Sequence, residues 1–454
     1  MKQQLINKIA ETFNAHNKQF YLVGGTVRDT LLNRESKDTD AATDARPDEI
    51  KDILAETMPL HIIPIGEKFG TIQAIYDDNE IIEVTTYRGE RYNPGSRKPE
   101  VQFGDSLLED LRRRDFTMNA IAQNPLTGEY IDPFDGLRDI HQCHIVAVDD
   151  AKQRFTDDPL RMLRAIRFHA QLGFGIGDVA ENIRQCLHLL PALSQERIRD
   201  ELCKMLVARL PTLAIDKMKL LGILPYILPE VEALRGVDQY PHHTLDVFYH
   251  TLMVVKLAPA RLEVRWSALL HDIAKPQTRS IDDKGITHFY QHEDIGANMA
   301  RDILCHLKFS NGFIDHVSKI VSLHMRVNAY TEAWSNAAVR RLYVDAENVL
   351  EDLLDLAIAD GSSDRHEPPE IVKVRIDHLR ERCQQVNVEA RQQPLKSPLN
   401  GNELMQIFNR NAGPWLSPIK QHLQNLVIEG ALNSNDKQSA IKAAKLFLGE
   451  NSNG

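Results

Sequence analysis

The spacing of apolar and polar positions changes along this chain. In the first 140 residues the apolar runs are short. FYLVGG (20–25), DTDAAT (38–43), HIIPI (61–65), GTIQAIY (70–76) and EIIEVTTY (80–87) read as strands, being rich in β-branched and apolar residues over short spans. MKQQLINKIAETFNAHNKQ at the N-terminus, TVRDTLL (26–32) and ARPDEIKDILAETM (45–58) read as helices. A run rich in Gly, Pro and Arg, YRGERYNPGSRKP (87–99), reads as a loop. From about residue 140 the strand signal fades and helical periodicity dominates to the end. Breaks fall at GFGIG (173–177), LPYILPEVEALRGVDQYP (224–241) and RQQPLKSPLNGNE (391–403). The pattern predicts a multidomain α+β protein: a small α/β head over 1–140, then helical segments over 141–225, 226–390 and 391–454. No internal repeat is present.

At 454 residues the chain exceeds one core, and about two to four domains are expected. Hydrophobic content of 43% and charged content of 26% exclude wholesale disorder. No apolar run approaches the roughly 18–20 residues that span a bilayer, and the N-terminal pattern is not that of a signal peptide. No membrane partner is therefore expected, and the location is read as cytoplasmic. Cys143, Cys186, Cys203, Cys305 and Cys383 lie far apart without a CxxC pair, which predicts reduced, mostly buried thiols.

A formal net charge of −10 argues against a nucleic-acid partner only if basic residues are dispersed. They are clustered. Arg112, Arg113 and Arg114 are consecutive, and Arg161, Arg164 and Arg167 recur every third residue, so a locally basic surface can still hold phosphates.

Candidate chemistry in the head comes in order. Gly24 and Gly25 with Arg28 occupy a strand-to-helix turn, where bare backbone can approach a phosphate. Asp38 and Asp40 are two apart in a strand, so both carboxylates point to one face, and like charges that close call for a cation. A solvated turn is the plain alternative for a lone DxD. Glu83 is a carboxylate among apolar strand neighbours. Three carboxylates converging from adjacent strands would hold hard divalent cations such as Mg²⁺. The arginines of RRRDFTMNA (112–120) would meet a triphosphate.

Taken together, YLVGGTVRD, DTDAATDA, RRRDFTMNAIA and DDPLRMLRAIRFHAQLGF resemble the class II tRNA nucleotidyltransferase and poly(A) polymerase family over roughly residues 20–175. The resemblance implies a nucleotidyltransferase head, a helical neck that selects the incoming base, and a helical body and tail that grip tRNA. It makes Asp38 and Asp40 the Mg²⁺-binding pair, catalytic together with Glu83. It makes Gly25, Arg28, Arg114, Asp115 and Asn119 nucleotide-binding. In the neck, Asp158 and Arg161 would select the base, with Arg164 and Arg167 completing the pocket. An Asp accepts from the exocyclic amine that C and A share, and Arg donates to ring acceptors. This reading takes the three arginines as unpaired; the alternative is an ordinary amphipathic helix with a solvated basic face.

The implied activity is template-independent addition of CCA to tRNA 3′ ends from CTP and ATP, releasing pyrophosphate. The loop after Glu83, with Arg88, Arg91 and Arg97, is retained at full length, which favours complete CCA addition. Its NPGSRKP departs from the acidic-residue-then-RRP pattern of that loop, so CC-adding, A-adding and poly(A) polymerase relatives stay open.

The helical body carries a second constellation: His250, the adjacent pair His271-Asp272 in ALLHDIAK, His292, His324 and Asp360. A lone helical His is usually structural, but a polar pair inside an apolar helix needs partners. Imidazole and carboxylate together suit a hydrolytic transition-metal site, with Ni²⁺, Co²⁺ or Mn²⁺ as candidates. The pattern resembles the HD phosphohydrolase superfamily, in its two-metal versions, which implies phosphatase or cyclic-phosphodiesterase activity on nucleotide ends. A degenerate scaffold is the alternative within the body, and an HD phosphohydrolase with a merely nucleotide-binding head is the alternative for the whole chain.

Overall fold

The computed structural model describes residues 2–35, 38–77, 80–91, 100–239, 245–363 and 367–449. The chain divides into two compact units, Met1–Ile227 and Leu228–Gly454.

In the first unit the strands are β1 (Tyr21–Val23), β2 (Asp38–Thr43), β3 (His61–Gly66), β4 (Thr71–Ile75), β5 (Ile81–Thr86), β6 (Arg88–Arg91), β7 (Glu100–Phe103), β8 (Ala122–Gln123) and β9 (Tyr130–Ile131). Seven of them form one sheet in the order β3-β4-β5-β2-β1-β8-β9. Its β2–β5 pair is parallel and the other pairings are antiparallel.

Period-two alternation separates the sheet's faces. Ile72, Ala74, Ile82, Val84 and Ala41 are buried. Helix Pro47–Glu56 packs against β3, β4 and β5 and buries Ile50, Ile53 and Leu54. Full burial of such a side chain stabilises by about 1.5–3 kcal/mol. The helix starts where its sequence says: Pro47 stands in the first turn, and the Glu49 carboxylate accepts from the Arg46 backbone N–H at 2.8 Å. The intervening residues Gln73, Glu83 and Asp40 share the other face, which is where polar chemistry can collect.

Helices Ala151–Asp157, Leu160–Leu172, Gly177–Cys186, Gln195–Leu206 and Pro211–Leu221 follow. Helix Leu160–Leu172 packs on the last two and ends at Gly173, whose φ of +77° suits glycine.

The second unit is built on helices Val247–Leu257, Leu262–Leu270, His292–His306, Asn311–Asn328, Leu350–Gly361 and Pro369–Gln392. Helices Gly401–Phe408, Leu416–Glu429 and Lys437–Phe447 close the chain around a separate cluster that includes Leu404, Ile419, Leu423 and Ala440.

Three expectations need correction. The run 87–99 is not simply a loop, because its Arg88–Arg91 form β6, which pairs antiparallel with β7; residues 92–99, including Arg97, lie outside the described residues. The helical half also contains a hairpin, β10 (Arg279–Ile281) with β11 (Thr287–Phe289). Its turn is organised by Asp282, which accepts from Lys284 and Ile286 N–H, and by Gly285 at φ +78°. The five cysteines form no disulfide, but only Cys186 and Cys383 are buried, while Cys143 and Cys305 are exposed. Cys143 has a φ of +57° in the turn after helix Gly136–His141, on the surface. Among the described residues no helix is long and apolar enough to cross a membrane.

Candidate active site and metal centre

The first unit holds a cavity of about 540 Å³, with Gly24, Gly25, Asp40 and Thr85 on the sheet side. Asp40 on β2 is in register with Glu83 on β5, and Glu83 with Gln73 on β4. Gln73 Nε2 donates to the Glu83 carboxylate at 2.9 Å. Asp38 is exposed two residues before Asp40, on the same face. Burial, then the neighbouring Glu83, push the Asp40 carboxyl up to about 6, with Asp38 adding to the effect and Arg114 and Arg28 opposing it. A carboxylate lifted by other carboxylates is suited to a hard divalent cation. The three carboxylates share a face without closing into a tight set: among the described residues, the triples with ligand atoms within 4.8 Å of one another are both in the second unit.

Gly24 has φ +65° and ψ −129°, a conformation that disfavours other residues. A Cβ there would lie 3.0 Å from Arg114 Nη1 and 3.6 Å from Asp40 Oδ2. The glycine pair therefore keeps this wall bare for a ligand.

The arginines are more engaged than the sequence suggested. Arg28 does not line the cavity; it donates to Asn119 Oδ1 at 2.8 Å and to Asp29, and lies 5.0 Å from the centroid of Phe168. Arg114 donates to Asp110 at 3.0 Å and to the Asn119 carbonyl at 3.3 Å, while its Nε is buried without a partner. Buried Asp110 also holds Arg113 at 2.7 Å. Asp110 escaped the sequence reading, although LEDLRRR places it three and four residues before two arginines on a helical turn.

Asp115 lines the cavity, but it is fully occupied. Asn119 Nδ2 donates to it at 2.9 Å, the Phe116 N–H at 2.8 Å and Arg164 at 2.6 Å. Burial opposes its ionisation, yet Arg164 and these donors hold it at about 2.

In the neck helix the expectation of three unpaired arginines is overturned. Arg164 is paired with Asp115. Arg167 is buried against Glu201 at 2.6 Å and does not reach the cavity. Arg161 lines it while donating to the carbonyl of Arg113 at 2.8 Å and of Arg154 at 3.3 Å. Burying guanidinium groups demands such partners, and the i+3 spacing could not reveal them. Asp158 also lines the cavity; it accepts from the Leu160 N–H at 3.1 Å and from Arg197 at 2.7 Å. Arg197 and Glu201, one turn apart on helix Gln195–Leu206, were missed because their partners lie 39 and 34 residues away.

In the second unit all six sequence candidates come together, buried. They form two triples, His250–His271–Asp360 and Asp272–His292–His324. The Nε2 atoms of His250 and His271 are 3.3 Å apart, as are those of His292 and His324. His271, His292 and His324 each donate Nδ1–H to a carbonyl, of Ala268 at 2.9 Å, Phe289 at 2.8 Å and Val321 at 2.6 Å. His250 Nδ1 meets Ser363 Oγ at 3.0 Å. A carbonyl can only accept, so in the neutral rings Nε2 carries the lone pair that binds metal.

Burial would lower the pKa of His271, but Asp272 and Asp360 lift it to about 9. His324 is pushed down to about 4, first by burial and then by His271. Burial likewise opposes the ionisation of Asp272 and Asp360, and the imidazoles hold both well below the usual carboxylate range. One proton on His271 thus occupies a place suited to a cation.

Comparisons with known proteins agree with the head. Residues 20–146 match the Poly A polymerase head domain, 173–234 the probable RNA and SrmB-binding site of polymerase A, and 279–444 the putative tRNA nucleotidyltransferase domain 2. A CCA-adding enzyme of Enterococcus faecalis is 30% identical over 440 residues, covering 96% of this chain and 94% of its own. One from a Geobacillus species is 30% identical over 435 residues, covering 95% and 94%. The crystal structure of the Bacillus stearothermophilus CCA-adding enzyme in complex with CTP superposes with a TM-score of 0.71 at 26% identity, covering 99% of this chain and 98% of that one. The chain belongs to the tRNA nucleotidyltransferase family of CCA-adding enzymes.

Proposed function

We propose that this protein adds CCA to the 3′ end of tRNA from CTP and ATP, without a nucleic-acid template, releasing pyrophosphate. The observation that carries the reading is one cavity in which Asp40 and bare glycines meet Arg114, Arg161 and Asp158. Residues 1–140 act as head, 141–225 as base-selecting neck, and 226–390 and 391–454 as body and tail that grip tRNA.

Asp38, Asp40 and Glu83 would hold Mg²⁺, which would supply charge neutralisation and activation of the attacking 3′ hydroxyl. The chain's own groups do the rest. Arg114 and the glycine wall seat the triphosphate, and Gln73 orients Glu83. Asp158 accepts from the exocyclic amine of C or A, while Arg161 donates to a ring acceptor. Asp115 and Asn119 lock the head motif to the neck through Arg164.

The test uses tRNA transcripts ending at the discriminator base, at C and at CC, each with single nucleotides and with CTP plus ATP, and sizes the products. Complete CCA addition is expected. Products that stop at CC, that gain only A, or that run into long A tails would reassign the chain to the corresponding relative.

A second reading concerns the second unit, which we propose is a two-metal HD-type hydrolytic centre acting on phosphoesters of nucleotide ends. Two pairs of imidazole Nε2 atoms 3.3 Å apart, around one carboxylate, favour it. Nitrogen-rich ligands favour Ni²⁺, Co²⁺ or Mn²⁺. Hydrolysis of a 2′,3′-cyclic nucleotide by stripped protein reloaded with each metal tests it, and no turnover with any of them would leave a scaffold.

A further inference from the structure

Lys275 is three residues beyond Asp272, at the start of helix Lys275–Thr278, and only 7% exposed. Its ammonium lies 2.7 Å from Asp272 Oδ2 and 2.8 Å from Gln239 Oε1, and 5.3 Å from the centroid of Phe289. An ammonium enclosed on these sides leaves its carboxylate only at a desolvation cost.

The two oxygens of Asp272 serve different imidazoles. Oδ1 lies 3.4 Å from His292 Nε2 and 4.0 Å from His324 Nε2. Oδ2 lies 3.1 Å from His271 Nε2 and 3.4 Å from His250 Nε2. Lys275 is therefore on the His250–His271 side alone. That side also has a second carboxylate, Asp360, whose Oδ1 is 3.1 Å from His250 Nε2. Without Lys275, two carboxylates would make it the tighter of the two positions.

Resting on the two-metal reading, we propose that Lys275 is a resident counter-cation that weakens metal binding at the His250–His271–Asp360 position much more than at the His292–His324 position. The ammonium shares Asp272 Oδ2 with any ion entering there, and like charges on one oxygen repel. It also neutralises that oxygen while the position is empty. The ion at this position is consequently the exchangeable one, so hydrolysis follows free metal concentration.

The test is calorimetric titration of the stripped full-length protein with Mn²⁺, for wild type, Lys275→Met and Lys275→Arg, each checked for an unchanged melting profile. Beyond any ion taken by the Asp38–Asp40–Glu83 set in the head, which an Asp40→Asn background removes, wild type should bind two ions. In Lys275→Met one event should tighten at least tenfold and the other move less than threefold, while Lys275→Arg should keep the wild-type constants. In a His324→Ala background the Lys275→Met tightening should persist, which places it at the His250–His271 position. Unchanged constants in Lys275→Met, or both events shifting alike, would overturn the inference while leaving the metal centre standing. Wild type that binds no Mn²⁺ beyond the head ion would remove the metal centre itself, and the inference with it. Should Lys275→Met unfold, Gln239→Leu, which removes the ammonium's second anchor, should tighten the same event by a smaller factor; no change there would equally overturn it.

Discussion

Asp40 and Glu83 stand on the same rung of the parallel β2–β5 ladder, and Gln73 on β4 extends that rung by a hydrogen bond of 2.9 Å to Glu83. Burial, and then the Glu83 carboxylate beside it, make ionised Asp40 unfavourable in the folded state without a cation. The Asp40 carboxyl rises from 3.8 to about 6. A raised acid is a liability above its unfolded pKa, so the cost sets in as pH rises from about 4 and is complete above about 6. A rise of that size is on the order of 3 kcal/mol. In chelator, Asp40→Asn should therefore melt higher than wild type at pH 7.5 and lose that advantage near pH 4, while nucleotide addition falls to background. Equal melting temperatures at pH 7.5 would refute the electrostatic account, and surviving addition would refute the role in metal binding.

Asp158→Ala and Arg161→Ala should relax the choice of base more than they slow the best reaction. A good pair of contacts to a base edge is worth roughly 1–3 kcal/mol, about ten- to a hundredfold. Because Arg197 holds Asp158 at 2.7 Å, Arg197→Gln should shift selectivity the same way by less. Incorporation of UTP and GTP relative to CTP reads all three. Unchanged ratios would make this helix a phosphate clamp only.

Arg167 and Glu201 form a buried pair with side chains 10% and 4% exposed. Glu201→Ala leaves a buried guanidinium uncompensated and should cost about 3–5 kcal/mol in denaturant unfolding. Replacing both, Arg167→Met with Glu201→Leu, should recover most of the loss. Base selectivity should stay at the wild-type ratio in the folded double variant, since this arginine does not line the cavity. Altered selectivity there would return Arg167 to the nucleotide pocket.

His271→Ala and Asp272→Ala should abolish hydrolysis of a 2′,3′-cyclic nucleotide and metal uptake by the second unit, yet spare CCA addition in Mg²⁺. The two sets of ligands sit in different compact units of the chain. Loss of addition in folded variants would show that the sites are coupled.

The sequence by itself determined the local facts. Asp38 and Asp40 two apart in a strand had to share a face, the glycine pair had to bare a turn, and His271-Asp272 inside an apolar helix had to find polar partners. Each follows from the two- and 3.6-residue periods of the backbone, which report where a side chain points relative to its own element. Only the tertiary structure decided what each group meets. Asp40 faces Glu83 because β2 and β5 pair in that register. Arg164 is taken by Asp115, 49 residues away, and Arg167 by Glu201, 34 residues away. The four imidazoles divide into two pairs around Asp272 because two successive helix pairs, Val247–Leu257 with Leu262–Leu270 and His292–His306 with Asn311–Asn328, pack there. Such partnerships are set by strand register and core packing, many weak contacts summed over the whole unit, and a local pattern of residues carries no record of them.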